Sequence, residues 1–178
     1  VAAIASIRRK RIVREDFGHS DPGLWDLAPF EDHASSLTNL KSIEVYGWHI
    51  DDISPLSNLP SIEILILDTP QITDITPLKS LLTLKTLSIV GEFSDVSSVE
   101  HLTNVEELTL CTRAKSAVDI SPISKLRNLH TLRLCLESTN DFSPLANLTG
   151  LRKLYIDGGL QAVNLGHLKS CQSLTNLH

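Results

Sequence analysis

The chain has 178 residues, of which 42% are hydrophobic and 21% are charged, and its formal net charge is −5. That length suits one ordinary domain or one modest array of repeats. The mild negative charge argues against a nucleic-acid partner, and the lack of an apolar run of about 18 residues argues against a membrane span.

Residues 1–36 do not keep the pattern that fills the rest of the chain. Within them, "DLAPFEDHASSL" reads as the tail of a decayed repeat. Terminal repeats need an atypical cap, and Leu24, Trp25 and Phe30 are suited to cover the first repeat. We therefore predict that residues 1–36 are a cap or linker with a degenerate repeat, and that residues 37–178 are a repeat array.

A basic run, "IRRKRIVRED", precedes that stretch. Such runs occur in nucleic-acid-binding and localisation patches, but also on the solvated faces of ordinary helices and strands. We favour a solvated face that joins a preceding domain. The basic residues are Arg8, Arg9, Lys10, Arg11 and Arg14.

From residue 37 onward an apolar frame, L-x-x-L-x-x-L-x-L, recurs at nearly even intervals. Successive copies begin 22, 22, 21, 24, 22 and 23 residues apart, and the last copy is cut off within its predicted strand. Because the chain lacks methionine even at position 1, we expect it to be a piece of a longer protein. The copies begin at Leu37, Leu59, Leu81, Leu102, Leu126, Leu148 and Cys171.

The end of each frame alternates apolar and other residues, which predicts a strand with an inward and an outward face. One repeat cannot bury its apolar row alone, so neighbouring repeats must stack into a continuous core. The predicted inward residues are Ile43, Val45, Leu65, Leu67, Leu87, Ile89, Leu108, Leu110, Leu132, Leu134, Leu154 and Ile156.

This frame resembles that of leucine-rich repeat proteins of the short type, with roughly 22 residues per repeat, such as bacterial internalins. The resemblance implies an α/β repeat solenoid: a right-handed coil with a concave parallel β-sheet and short 3-10 or helical turns on the convex side. The family usually places asparagine just after the strand, where its amide bridges repeats. Here we expect irregular loops and no asparagine ladder, because that position holds Trp48, Pro70, Glu92, Arg113, Glu137 and Gly159.

A second phrase recurs between the frames, as "DISPL" at Asp52, "DITPL" at Asp74, "DISPI" at Asp119 and "DFSPL" at Asp141. We predict that the aspartate closes an Asx turn or faces the positive end of a short helix. The proline then begins the helix and the apolar residues enter the core. A calcium-binding aspartate column is the disfavoured alternative, because one carboxylate per repeat supplies too few converging oxygens. The predicted N-caps are Ser54, Thr76, Ser121 and Ser143.

The sequence contains no motif of a known active site: HExxH, the Walker loop, GxSxG and GxGxxG are all missing. We therefore predict a non-enzymatic chain with no cofactor and no metal. Three cysteines are too few for a disulfide framework, which favours a cytoplasmic location unless a signal peptide precedes Val1. Cys111 and Cys135 fall in one outward column of adjacent predicted strands, within the Cα range of a disulfide. We favour two free thiols over a bridge or a redox site.

The outward strand positions are the predicted partner-binding face. Ile64, Ile66 and Val90 form an apolar strip, and exposed apolar patches mark interaction sites. The strip also fits two structural roles: parallel strands are rich in β-branched residues, and another part of the same protein can cover it. The candidate partner-binding residues are Glu44, Tyr46, Trp48, Ile64, Ile66, Asp68, Val90, Glu107, Thr109, Arg133, Lys153 and Tyr155.

These features predict a recognition module that binds a protein or peptide on its concave sheet, with another domain of the same chain as one such partner. One alternative is a C-terminal sensor or autoinhibitory domain of a bacterial nucleotide-binding immune ATPase. Another is a secreted adhesion module similar to internalins, which would require an upstream signal peptide.

Overall fold

The computed structural model describes residues 9–13, 27, 36–47, 50–139, 141–158 and 165–178, and for 9–13 it describes the backbone alone. Within these ranges eight strands form one parallel sheet in chain order. They are β1 (Arg9–Val13), β2 (Ser42–Tyr46), β3 (Ile64–Asp68), β4 (Thr86–Gly91), β5 (Glu107–Thr112), β6 (Thr131–Leu136), β7 (Lys153–Asp157) and β8 (Asn176–Leu177).

Short 3-10 helices connect the strands, and successive helices pack against each other on the side of the core opposite the sheet. The predicted fold class, a leucine-rich repeat solenoid with a parallel sheet and short 3-10 turns, is confirmed. The helices are Ser54–Asn58, Thr76–Ser80, Ser97–His101, Ser121–Lys125, Ser143–Asn147 and Gly166–Ser170. None of the helices in the described ranges has the length and apolar run that a membrane crossing needs.

The strands pair without stagger, so equivalent positions of successive repeats align in straight rows. A slip of one residue would turn every side chain to the other face of the sheet, so this register fixes which residues face outward in all repeats at once. The row that begins the strands contains Ser42, Ile64, Thr86, Glu107, Thr131, Lys153 and Asn176.

The core lies between the sheet and the 3-10 helices, and the predicted inward residues build it. From β2 to β7 these strand residues are at most 1% exposed, apart from Ile156, which is partly buried. The apolar residues of the recurring phrase are at most 2% exposed and close the core from the other side. They are Ile53, Leu56, Ile75, Leu78, Ile120, Ile123, Phe142 and Leu145.

The aspartate of the recurring phrase closes an Asx turn, as predicted. In each of five repeats, its Oδ1 accepts a hydrogen bond of 2.8 Å from the backbone N–H two residues later. The predicted N-cap role of the hydroxyl residues is wrong. The 3-10 helix begins at the hydroxyl residue itself, so this side chain lies inside the helix and the proline follows as the second helical residue. The aspartates are Asp52, Asp74, Asp95, Asp119 and Asp141.

Differences in repeat length are confined to the loop that follows each strand. From Asp52 to the start of β3 at Ile64 there are twelve positions, and the same interval separates each later described aspartate from its next strand. The interval from the start of a strand to its aspartate varies between nine and twelve positions. The Asx turn, the 3-10 helix and the approach to the next strand therefore form a block of constant length.

Side-chain amides bridge successive repeats just before the strand. Nδ2 of Asn104 donates to the carbonyl of Leu82 at 2.8 Å, and Nδ2 of Asn128 donates to the carbonyl of Thr103 at 3.0 Å. Both amides satisfy backbone acceptors in the turn that leads into the next strand. The repeats thus use an amide bridge at the opposite end of the strand from the position the family usually uses.

The basic run enters the same sheet. β1 pairs with β2 in parallel, which places Arg9 opposite Ser42 and Arg11 opposite Glu44. Leu27 is 2% exposed and belongs to the continuous core. The predicted cover by Leu24, Trp25 and Phe30 lies outside the described residues, and the division at residue 36 stays a prediction.

Candidate partner-binding face

The concave face, defined here as the outward positions of β2 to β8, carries three parallel rows of side chains. The first row is the one that begins the strands. The second contains Glu44, Ile66, Ser88, Thr109, Arg133 and Tyr155. The third contains Tyr46, Asp68, Val90, Cys111, Cys135 and Asp157.

An apolar patch lies on β3 and β4 of this face. We define it as Ile64, which is 38% exposed, with the partly exposed Ile66 and Val90. The patch exists because β3 reads "ILILD", with isoleucine on its outward side and leucine on its inward side. Val90 lies diagonal to Ile66 on the neighbouring strand, and Asp68 separates Val90 from Tyr46 in the third row. The predicted strip therefore consists of Ile64, Ile66 and Val90, and Asp68 separates it from Tyr46.

The acidic candidates near the patch differ in accessibility. Asp68 and Glu107 are exposed, on β3 and β5. Glu44 lies in the predicted row but is only 6% exposed and already has an interaction within the chain. A buried carboxylate offers little surface to a partner, so Glu44 is not an accessible contact in this structure. Trp48 lies outside the described residues.

At the other end of the face, four side chains contact one another. Arg133 forms an ion pair with Asp157, with 2.7 Å between Nη2 and Oδ2. The guanidinium carbon of Arg133 lies 5.9 Å from the ring centroid of Tyr155, within cation–π range. The other contact of the Tyr155 ring is a stack on His178, with centroids 5.2 Å apart. We call these four residues the C-terminal cluster.

Two members of the C-terminal cluster, Asp157 and His178, were not among the predicted site residues. Asp157 is an outward residue of β7, so the strand pattern already contained it. Extending the apolar frame past Cys171 places His178 on the outward side next to Tyr155. Their mutual contacts depend on side-chain geometry that the frame does not encode.

Cys111 and Cys135 are joined by a disulfide across β5 and β6, with Cα atoms 4.3 Å apart. The favoured outcome of two free thiols is wrong. The two side chains lie directly opposite each other, as the outward column predicted, and their sulfurs are bonded. Cys171 is free and buried. Burial raises the pKa of its thiol. The thiol donates a hydrogen bond to the carbonyl oxygen of Leu145, with 3.3 Å between the sulfur and the oxygen.

The flank beside the starts of the strands carries an ionic ladder. The Glu63 carboxylate lies between two lysines, 3.0 Å from Nζ of Lys41 and 3.0 Å from Nζ of Lys85. Hydrogen bonds from Lys41 and then Lys85 lower the pKa of Glu63. The hydrogen bond to Glu63, with a smaller contribution from the charge of Glu106 in the same column, raises the pKa of Lys85. The ladder balances two positive against two negative charges.

The described residues offer contact surface but no metal-binding group. No cluster of three or more histidine, cysteine, aspartate or glutamate side chains within them has the arrangement to hold an ion. The five Asx-turn aspartates instead direct one oxygen each to their own backbone.

Comparison with solved structures places the chain among repeat proteins. An internalin of Listeria monocytogenes matches 99% of this chain and 48% of its own length, with 30% identity and a TM-score of 0.75. Internalin C2 of the same organism matches 80% of this chain and 62% of its own, with 28% identity and a TM-score of 0.68. A leucine-rich repeat protein of Leptospira interrogans shares the fold at 19% identity and a TM-score of 0.60.

The chain thus spans about half the length of the first internalin and less than two thirds of the second. Comparisons with models of protein families and with curated protein sequences gave no match. The structural likeness, the unstaggered parallel sheet and the recurring 3-10 turns agree with one another. The chain is a leucine-rich repeat protein of the short-repeat type, with a fold similar to that of the internalins.

Proposed function

We propose that this chain is a non-catalytic recognition module that binds a protein or peptide partner on its concave face. The observation that supports this most is the apolar patch, where Ile64 keeps 38% of its surface exposed on an otherwise polar face. Exposed apolar groups with polar surroundings are typical of interaction sites. The C-terminal cluster adds Tyr and Arg, which are common anchors at interfaces.

Two observations bear on the setting in which the module works. Similarity to one internalin over 99% of the chain favours an adhesion-type module over an ATPase sensor domain. The argument for a reducing compartment was that three cysteines are too few for a disulfide framework, yet two of the three are paired. Disulfides persist mainly in oxidising compartments, so the cysteines no longer favour the cytoplasm.

The proposal is tested by a double substitution in the patch, Ile64→Asp with Ile66→Asp. Both changes place charge on the outward side of β3, so they should weaken partner binding by about tenfold or more, as loss of an interface anchor does. The matched control is Leu82→Asp, because Leu82 is a large exposed apolar residue, 54% exposed, in the turn before β4 and off the concave face.

Quantitative mass spectrometry after capture from native extracts should find proteins retained by the wild type and by Leu82→Asp but lost with the patch variant. Circular dichroism and the melting temperature should agree among the three chains. Equal retention by all three, with folding intact, would remove the concave patch as the binding site.

A further inference from the structure

The charges around the apolar patch have one sign. On β2 to β5 the outward side chains include Glu44, Asp68 and Glu107 and no lysine or arginine. Asp68 and Glu107 are both exposed, and the structure gives neither an ion-pair partner among its described residues. The patch is therefore an apolar centre next to two exposed carboxylates, those of Asp68 and Glu107.

Distance decides which charges a partner on the patch would meet. Asp68 lies two residues along β3 from Ile66, about 7 Å between Cα atoms at ordinary strand rise. Glu107 lies two strands from Ile64 in the same row, about 10 Å away at ordinary strand spacing. Both separations are close to the screening length of about 8–10 Å at physiological salt, so both carboxylates act on a bound partner.

β1 adds Arg9 and Arg11 to the first two rows, two strands from Ile64 and Ile66 and about 10 Å away, with Glu44 between Arg11 and Ile66. The cations at the other end of the concave face are farther away or compensated. Arg133 is three strands from Ile66, about 14 Å, and Asp157 already neutralises it at 2.7 Å. Lys153 is four strands from Ile64 in the same row, about 19 Å. The charges of the flanking ionic ladder cancel among themselves. The outward positions of β2 to β7 therefore carry two more acidic than basic residues. Their exposed carboxylate nearest the patch is that of Asp68, directly opposite Val90.

We infer that the partner of the concave face is a protein segment that places an exposed apolar side chain next to lysine or arginine. This inference rests on the proposed function. The apolar side chain covers Ile64, Ile66 and Val90, and the neighbouring cation pairs with Asp68 or Glu107. Complementary charge of this kind sets partner choice and association rate more than affinity.

The test uses a displayed library of random peptides about nine residues long, which when extended matches the width of seven strands. Peptides are selected on the immobilised wild-type chain and depleted on the variant with Ile64→Asp and Ile66→Asp, after circular dichroism has shown that this variant is folded. The surviving sequences should combine an apolar residue with lysine or arginine within two positions.

A synthesised peptide from that pool then tests the two carboxylates. Asp68→Asn with Glu107→Gln should weaken its binding by about two- to fivefold per charge, the usual strength of an exposed ion pair. Raising the salt concentration should weaken binding to the wild type and have little effect on this variant. Glu100→Gln is the control, because Glu100 is an exposed acid in the 3-10 helix Ser97–His101, off the concave face, and it should change nothing.

The outcomes separate the two proposals. If no peptide distinguishes the wild type from the patch variant, the concave face is not a binding site and both proposals fail. If patch-dependent peptides are apolar without basic residues, the proposed function stands and this inference is overturned. Enrichment of aspartate or glutamate also overturns it, and would show that cations dominate the field at this face.

Discussion

Single residues set the local structure of each repeat. The copy of the recurring phrase that departs most from the pattern has serine in place of proline. "DVSSV" places Ser98 where four other repeats have proline. Ser98 is buried, and its hydroxyl has no hydrogen-bond partner among the residues that the structure describes. A buried hydroxyl without a partner costs free energy, so Ser98 destabilises this repeat relative to proline at the same position.

We therefore expect Ser98→Pro to stabilise the protein. Proline fits this second helical position in the other repeats, reduces the freedom of the unfolded chain and removes the unpaired hydroxyl. The expected gain is about 0.4–1 kcal/mol in the free energy of unfolding, measured by urea denaturation. Ser97→Pro is the matched control and should destabilise, because the N–H of Ser97 donates to Asp95 at 2.8 Å. A loss of stability with Ser98→Pro would contradict the structural equivalence of the repeats.

Two glycines differ in what they tolerate. Gly158, just after β7, has φ of +148°, and a Cβ there would meet the backbone carbonyl of Leu136. Gly158→Ala should lower the free energy of unfolding by about 1–3 kcal/mol. Gly150 has ordinary room, since the nearest atom to its Cβ position is the Arg127 carbonyl oxygen at 3.6 Å. Gly150→Ala should be neutral or slightly stabilising, and equal losses for both variants would contradict this difference between the two positions.

At the scale of elements, the sequence predicted the strands, the core residues and the Asx turns, because periodic apolar positions and turn chemistry are local properties. It misassigned the N-caps. Ser54 and Asp52 both carry oxygens suited to capping, and only the backbone path shows that Asp52 reaches the N–H of Ser54. Which of the two oxygens accepts the hydrogen bond depends on the residue at which the 3-10 helix begins. The sequence of such a short helix does not determine its first residue.

The Asx turns make stability depend on pH. Hydrogen bonds from the hydroxyl and N–H of Thr76 lower the pKa of Asp74, and those of Ser121 lower the pKa of Asp119. Hydrogen bonds from the N–H and hydroxyl of Ser143 lower the pKa of Asp141. A carboxylate whose pKa is lower in the folded state stabilises the fold above its ordinary pKa of about 3.9, and that stability is lost as the pH falls below it.

The free energy of unfolding should therefore decrease as the pH falls from about 5 to about 3. Urea denaturation at several pH values measures this slope. Replacing Asp74, Asp119 and Asp141 by asparagine keeps the Oδ1 acceptor and removes the titration. That triple variant should show a smaller slope, and an unchanged slope would assign the acid sensitivity to other groups.

For the whole molecule, the fold followed from the sequence because one pattern recurs in register seven times. The apolar patch and the outward rows followed from the same register. Three features did not: the burial of Glu44, the contacts within the C-terminal cluster and the disulfide between Cys111 and Cys135. Each depends on side-chain packing or bond formation between repeats, and no periodic pattern encodes these.

The disulfide gives a simple prediction for the intact chain. Denatured without reductant, the protein should show one reactive thiol, that of Cys171, and three after reduction. Since the bridge closes a loop with a sequence separation of 24 residues, its reduction should lower stability by about 3 kcal/mol. Thiol titration with an aromatic disulfide reagent measures the count, and three thiols before reduction would contradict the bridge.

The block of constant length has a consequence for how such a chain can change. A residue inserted between an aspartate and the next strand shifts the register of that strand by one position. Its inward side chains then point outward and its outward side chains point into the core. A residue inserted after a strand is absorbed in the loop, as the range of nine to twelve positions there illustrates. Loops such as the one from Arg113 to Val118 are therefore places where recognition surface can grow while the concave face keeps its alignment.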